Sequence, residues 1–254
     1  MSVRELAHLT WQDVGGADRE RAVAILPVGA VEAHGPHLPI ATDVLIAEAM
    51  AHAGADKLSV RGLEVLLLPV LAYAAAPFAA DFPGTLSPDA GALTLQVVGV
   101  AESLARHDFE VLAIANAHLD PTHLAALHAA VTEVRQAGKI RVVFPDVTQR
   151  PWAMRLTAEF RSGACHAGRY ETSLVMAIRP DLVREDVRLR LPPNARSLST
   201  AIAAGHMSFV EAGGPSAYFG YPAEATLEEG RSSLAALGAI LEEAVMIEFA
   251  RGVG

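Results

Sequence analysis

The chain has 254 residues, 52% of them hydrophobic and 19% charged, which suits a substantial core and argues against disorder. Its net charge of −9 offers a phosphate backbone nothing to bind, so nucleic acid is not an expected partner. The length fits one large α/β domain over 1–254 better than two small ones.

Positions 3–20 are polar and aromatic, with a short helix expected to end at Gly15-Gly16. Arg21–Val28 is a continuous apolar run of strand length, the pattern of a parallel strand covered on both faces. A loop rich in glycine and proline follows. Thr42 or Asp43 then caps a helix reaching about Lys57. Leu63–Val70 is the second strand. Val65 to Ala80 carries no charge, but it is too short to span a bilayer and is interrupted by Pro69 and Pro77. Ser87-Pro-Asp starts the next helix with a capping hydroxyl and a proline at the first position, and that helix ends near His107. Phe109–Ala115 is the third strand, Thr122–Ala137 a helix and Ile140–Phe144 a further strand.

Beyond residue 145 the pattern is weaker. A helix is expected over Trp152–Arg161, a loop over Ser162–Arg169 and a helix start near Glu171. Residues 195–224 read as irregular loop, and an amphipathic helix closes the chain from Leu227 to about Phe249. The strand–loop–helix alternation predicts a three-layer αβα architecture around a mostly parallel sheet. The N-terminus has early charges and no apolar h-region, so no signal peptide is expected. The one cysteine, Cys165, cannot form an internal disulfide. A soluble, cytoplasmic protein that avoids membranes is the expectation.

The chemistry concentrates in Gly29-Ala-Val-Glu-Ala-His-Gly-Pro-His-Leu-Pro-Ile-Ala-Thr-Asp43. Glu32 and His34 leave an extended segment on one face, while His37 and Asp43 follow behind helix- and strand-breaking residues. Alone, Asp43 would read as a helix cap and any one histidine as a loop residue. Together they form the ligand set of a divalent cation such as zinc, manganese or iron. Ligands in open α/β sheets sit beyond the carboxyl ends of the strands. Glu32 and His34 follow the first strand, the Phe82–Ser87 loop the second, and His118 and Asp120 the third, so three loops converge.

Glu32-x-His34-Gly-Pro-His37-Leu-Pro39-x-x-Thr42-Asp43 resembles the signature of the creatininase family of metal-dependent amidohydrolases. Asp81-Phe-Pro-Gly-Thr-Leu-Ser87, Asn116-Ala-His118 and His166-Ala-Gly-x-x-Glu171-Thr-Ser173 are similar to further stretches of that family, in its order. The resemblance implies a creatininase-like fold with two divalent ions per chain bridged by Asp43. Glu32 and His118 would complete one metal and His34 would serve the other. It implies that His166 hydrogen-bonds a small-molecule substrate and serves the leaving nitrogen. It also implies a homo-oligomer, a hexamer among the options. His37 is read as supporting the loop rather than as a ligand, and His123 and His128 as surface or packing histidines. A Cys165–His166 nucleophilic pair is disfavoured, because neighbouring side chains point apart.

The remaining ligand of the second metal is contested between Asp120 and Glu171. Asp120 is short and precedes Pro121, whereas Glu171 is longer and starts a helix. Glu171 is the preferred ligand, which leaves Asp120 as a proton acceptor. The expected activity is hydrolysis of a C–N bond in a small cyclic or related amide, through a hydroxide bridging the metals. The apolar Tyr73–Ala80 stretch, poor in hydrogen-bonding groups, argues against creatinine itself. Two alternatives stand beside this reading. One is a deformylase or C–C/C–O hydrolase acting on a cofactor precursor or cyclic ketone. The other is a metal-binding maturation protein without turnover.

Overall fold

The structure is a computed structural model that describes residues 3–163 and 166–251; the reading of Cys165 lies outside the described residues. In chain order its elements are β1 (Val3–Glu5), α1 (Trp11–Gly15), β2 (Ala22–Val28), α2 (Thr42–Val60), β3 (Glu64–Leu67), α3 (Ala90–Ala105), β4 (Val111–Asn116), α4 (Pro121–Ala137) and β5 (Arg141–Val143). They continue with α5 (Ala158–Ser162), α6 (Arg169–Ile178), α7 (Glu185–Arg188), α8 (Leu198–Ala203) and α9 (Leu227–Arg251). The strands form an all-parallel sheet in the order β1-β3-β2-β4-β5, with β2 at its centre.

Strand β2 shows why the architecture has three layers. Its side chains alternate between faces, and both faces are apolar. Val23 and Ile25 pack with Ile46 and Met50 of α2 and Leu237 and Leu241 of α9. Ala24 and Leu26 pack with Leu93 and Val97 of α3 and Leu127 and Val131 of α4. Each fully buried leucine or isoleucine contributes about 1.5–3 kcal/mol, so helices on both faces are what hold this sheet. Among the described residues, no helix is long and apolar enough to cross a membrane.

Four local expectations change. Strand β1 arises from the polar N-terminal stretch; it is an edge strand paired with β3, and its residues are only part-buried or exposed, so no apolar pattern marks it. Helix α3 begins at Ala90 rather than at Ser87: Asp89 caps it by accepting from Gly91 N, while the Ser87 hydroxyl accepts from Ala76 N at 2.9 Å. The helix expected over Trp152–Arg161 is broken into a 3-10 turn, Trp152–Arg155, and α5, because Thr157 starts a new helix by capping Phe160 N. The 195–224 stretch holds α8, capped by Ser197, and its Gly220 forms a bridge with Asn194 just before it.

Candidate metal centre

The centre lies beyond the carboxyl ends of β2 and β4. After β2 the chain turns back on itself, with Glu32 N donating to Ile40 O at 2.9 Å, and enters α2. Thr42 is the first residue of α2, but its hydroxyl donates to Pro39 O at 2.7 Å rather than capping the helix. The Asp43 carboxylate also leaves the cap, and faces two histidines. This approach depends on Gly29: a Cβ there would lie 2.7 Å from both Asp43 C and Val44 N.

Each histidine of the cluster is fixed through one ring nitrogen. His34 donates from Nδ1 to the Glu32 carbonyl at 3.2 Å, His118 from Nε2 to Ala75 O at 2.9 Å, and His166 from Nε2 to Ala33 O at 2.9 Å. A carbonyl can only accept, so the proton of each neutral ring is assigned to that nitrogen. In its neutral form each ring would turn the lone pair of the other nitrogen on the carboxylates. His34 Nε2 lies 3.0 Å from Asp43 Oδ1 and 3.6 Å from Glu171 Oε2. His118 Nδ1 lies 2.8 Å from Asp43 Oδ2 and 3.4 Å from Glu32 Oε1, and His166 Nδ1 is 3.6 Å from Glu32 Oε1. All six residues are buried.

With neutral rings these close contacts leave buried polar atoms unpartnered. Among the described residues His34 Nε2, Asp43 Oδ2 and Glu32 Oε2 have no hydrogen-bond partner. Ligands about 2.1 Å from a tetrahedral ion stand about 3.4 Å apart, close to several of these separations. The donor set therefore fits divalent metal. Two of the candidate groups within 4.8 Å, Glu32–Asp43–His118 and His34–Asp43–Glu171, share Asp43; a third is Glu32–His34–His166.

The electrostatics agree. Burial opposes charge on His34, yet Asp43, Glu171 and Glu32 around it raise its pKa to about 10. Burial likewise works against protonated His118, and the Glu32 and Asp43 carboxylates outweigh it. Burial holds the Glu171 carboxyl up to about 8 despite His34. A field that binds protons this firmly binds a divalent cation too, and the two compete. His166 differs: burial and the nearby His34 push its pKa well below the usual histidine range.

The structure gathers Glu32, His34, Asp43, His118, Glu171 and His166 at one point. Asp120 lines the same cavity but belongs to none of the candidate groups. Its Oδ1 caps α4 by accepting from Thr122 N at 2.7 Å, and its Oδ2 accepts from Phe78 N at 3.3 Å. His37 bonds the Thr172 hydroxyl at 2.9 Å and pins the loop to α6. His123 is buried against His118, where its Nε2 meets Asn116 Oδ1 at 2.8 Å, while His128 pairs with Asp146 nearer the surface. Phe209, in the stretch read as irregular, packs its ring 4.1 Å from that of His166 and carried no sequence signal. The cluster floors a cavity of about 410 Å³ whose walls include Phe78, Leu119, Phe160, Leu198 and Phe209.

A family model described as creatinine amidohydrolase matches residues 7–245. The chain is 33% identical to a mycofactocin precursor peptide peptidase of Mycobacterium ulcerans (strain Agy99), over 82% of this chain and 78% of that protein. It is 32% identical to a creatinine amidohydrolase of Pseudomonas putida, over 74% of this chain and 76% of that protein. Solved structures of creatininase superimpose along nearly the whole chain. A manganese form has a TM-score of 0.75 at 27% identity, covering 98% of this chain and 99% of that one. A zinc–zinc form of a variant has a TM-score of 0.74 at 26% identity, with the same coverage. The chain belongs to the creatininase family of hydrolases acting on C–N bonds.

Proposed function

We propose that the chain hydrolyses an amide C–N bond using two divalent ions. Glu32, His118 and Asp43 would hold one, His34, Glu171 and Asp43 the other. The observation that carries this reading is the set of three imidazoles, each anchored to a backbone carbonyl and each turning its free nitrogen on a buried carboxylate. A metal-ligating histidine usually donates its other ring N–H to a carbonyl or carboxylate that fixes the ring. The ligand types suit zinc, manganese or iron, and creatininase structures of zinc and manganese forms support the first two. Divalent ions in such a site supply water that ionises near pH ~7 and polarise a carbonyl oxygen.

The remaining roles fall to side chains of this chain. Asp120, beside the cluster yet engaged only by two backbone N–H groups, receives the proton that water loses and returns it to the departing nitrogen. His166, neutral and held by Ala33, accepts a hydrogen bond at Nδ1 from the substrate N–H. The Phe78, Phe209 and Leu198 walls exclude water around the scissile bond. Metal analysis of protein purified without chelator, followed by hydrolysis of a panel of cyclic amides and short peptides with and without added metal, tests this reading. Two equivalents of metal and metal-dependent cleavage are expected. Tight metal binding with no cleavage of any amide would favour the maturation-protein alternative.

A further inference from the structure

The cavity above the metal centre has a cationic edge. Arg150, in the loop beyond β5, and Arg161, in the last turn of α5, reach it from separate segments, and both are exposed. They are the only lysine or arginine side chains lining it among the described residues. Neither guanidinium makes an ion pair or a side-chain hydrogen bond with any described residue. Arg155, close by in sequence, contrasts with them by pairing with Glu243 at 2.6 Å. The acids of the cavity are engaged elsewhere: Glu32, Asp43 and Glu171 face the histidines, and Asp120 accepts from two backbone N–H groups. Between the acidic floor and the arginines the wall is apolar, with Phe160, Leu198, Ile202 and Phe209.

We propose that this site takes an amide substrate bearing a carboxylate, held by Arg150 and Arg161, with an apolar body lying between that carboxylate and the scissile bond. The proposal rests on the amide-hydrolase reading for the role of the floor. Its chemistry is direct. A guanidinium meets a carboxylate with two parallel N–H donors, and the free geometry of both arginines leaves those donors available. A chain of net charge −9 repels anions in general, so admitting one needs local positive charge at the entrance. The carboxylate could be the free end of a short peptide or the acid substituent of a lactam.

Two matched pairs of probes separate these sources: an N-acetylated tripeptide with a free C-terminus against its C-terminal amide, and pyroglutamate against pyroglutamamide. Binding to the metal-loaded protein is read by calorimetry, and cleavage is read separately. The carboxylate member of at least one pair is expected to bind about tenfold more tightly than its neutral partner, the scale of one charge-assisted hydrogen bond. R150Q/R161Q should bring the two within about twofold with metal content unchanged, and R150K/R161K should keep part of the preference. Both arginines are exposed, so these variants should fold normally. No carboxylate preference in either pair, or a preference unaltered by R150Q/R161Q, overturns the proposal. An arginine-dependent preference without cleavage of any probe would instead defeat the amide-hydrolase reading and leave the anion site standing.

Discussion

Nδ1 of His118 lies 2.8 Å from Oδ2 of Asp43, and that oxygen nevertheless has no hydrogen-bond partner. The other ring nitrogen is committed to the Ala75 carbonyl, so the neutral ring that a metal requires would present its lone pair to a carboxylate. His34 repeats the arrangement on Oδ1 of the same aspartate. Electron-rich atoms drawn this close in a buried site call for a cation between them.

Asp43 faces both histidines, so Asp43→Ala should lose both metals rather than one. Metal analysis of the purified variant checks this, with circular dichroism to show that the fold persists. Full metal content in the variant would sink the dinuclear reading.

His166 raises a sharper question, because its Nδ1 also approaches Glu32 and completes a third candidate group. As a substrate-holding residue it predicts that His166→Ala keeps both metals and lowers kcat/KM by about tenfold, the scale of one lost hydrogen bond. Metal loss in that variant would make His166 a ligand instead.

The sheet was legible because β2 and β4 are buried on both faces and therefore read as unbroken apolar runs. The convergence of Glu32, His34 and His118 followed from the rule that strand-end loops meet, and Asp43 from its place just beyond a breaker-rich loop. The anchors were not legible, since Ala33 and Ala75 act through backbone carbonyls that any residue could offer. Nor was Phe209, whose contact with His166 is made by tertiary folding of a segment without periodicity.

Gly29 should resist substitution. A Cβ would meet backbone atoms of Asp43 and Val44, which cannot swing aside as a side-chain tip can. Gly29→Ala should cost about 1–3 kcal/mol in chemical denaturation and weaken metal binding by displacing Asp43. Gly99→Ala is the control. It sits inside α3 with nothing within 4 Å of the added Cβ, and should stabilise by roughly 0.5–1 kcal/mol. Equal effects at the two positions would refute the packing argument.

His37 should make the protein acid-sensitive. Burial, followed by the charges of His34 and Arg188, lowers its pKa to about 4 from an ordinary 6.5. Between those values the unfolded chain binds a proton that the folded chain refuses, so the contribution of His37 is complete above pH 6.5 and is lost as pH falls towards 4. The full loss is on the order of 3 kcal/mol. Denaturation of metal-free protein across this window should show a shallower decline in His37→Gln than in the native chain. Identical slopes would show that His37 does not set it.

Glu171 and Asp120 divide the last ligand position. Glu171 projects from the first turn of α6, accepts from Ala167 N at 2.6 Å and brings Oε2 within 3.6 Å of His34 Nε2. Asp120 shares the cavity and accepts from Thr122 N and Phe78 N, but it stands outside the clusters of donor atoms that include Glu171. An N-terminal helix acid is favoured by the dipole alone by about 0.3–1 kcal/mol, which would not require burial among two other carboxylates and a histidine. Ligation gives Glu171 a reason to be there. Glu171→Gln should therefore strip one metal and spare the other, because Glu32, His118 and Asp43 remain intact. Asp120→Asn should retain both metals and lose turnover, since the amide cannot take the proton that the carboxylate takes. Metal analysis and single-turnover cleavage on both variants decide the matter. Loss of a metal in Asp120→Asn with full occupancy in Glu171→Gln would reverse the two assignments.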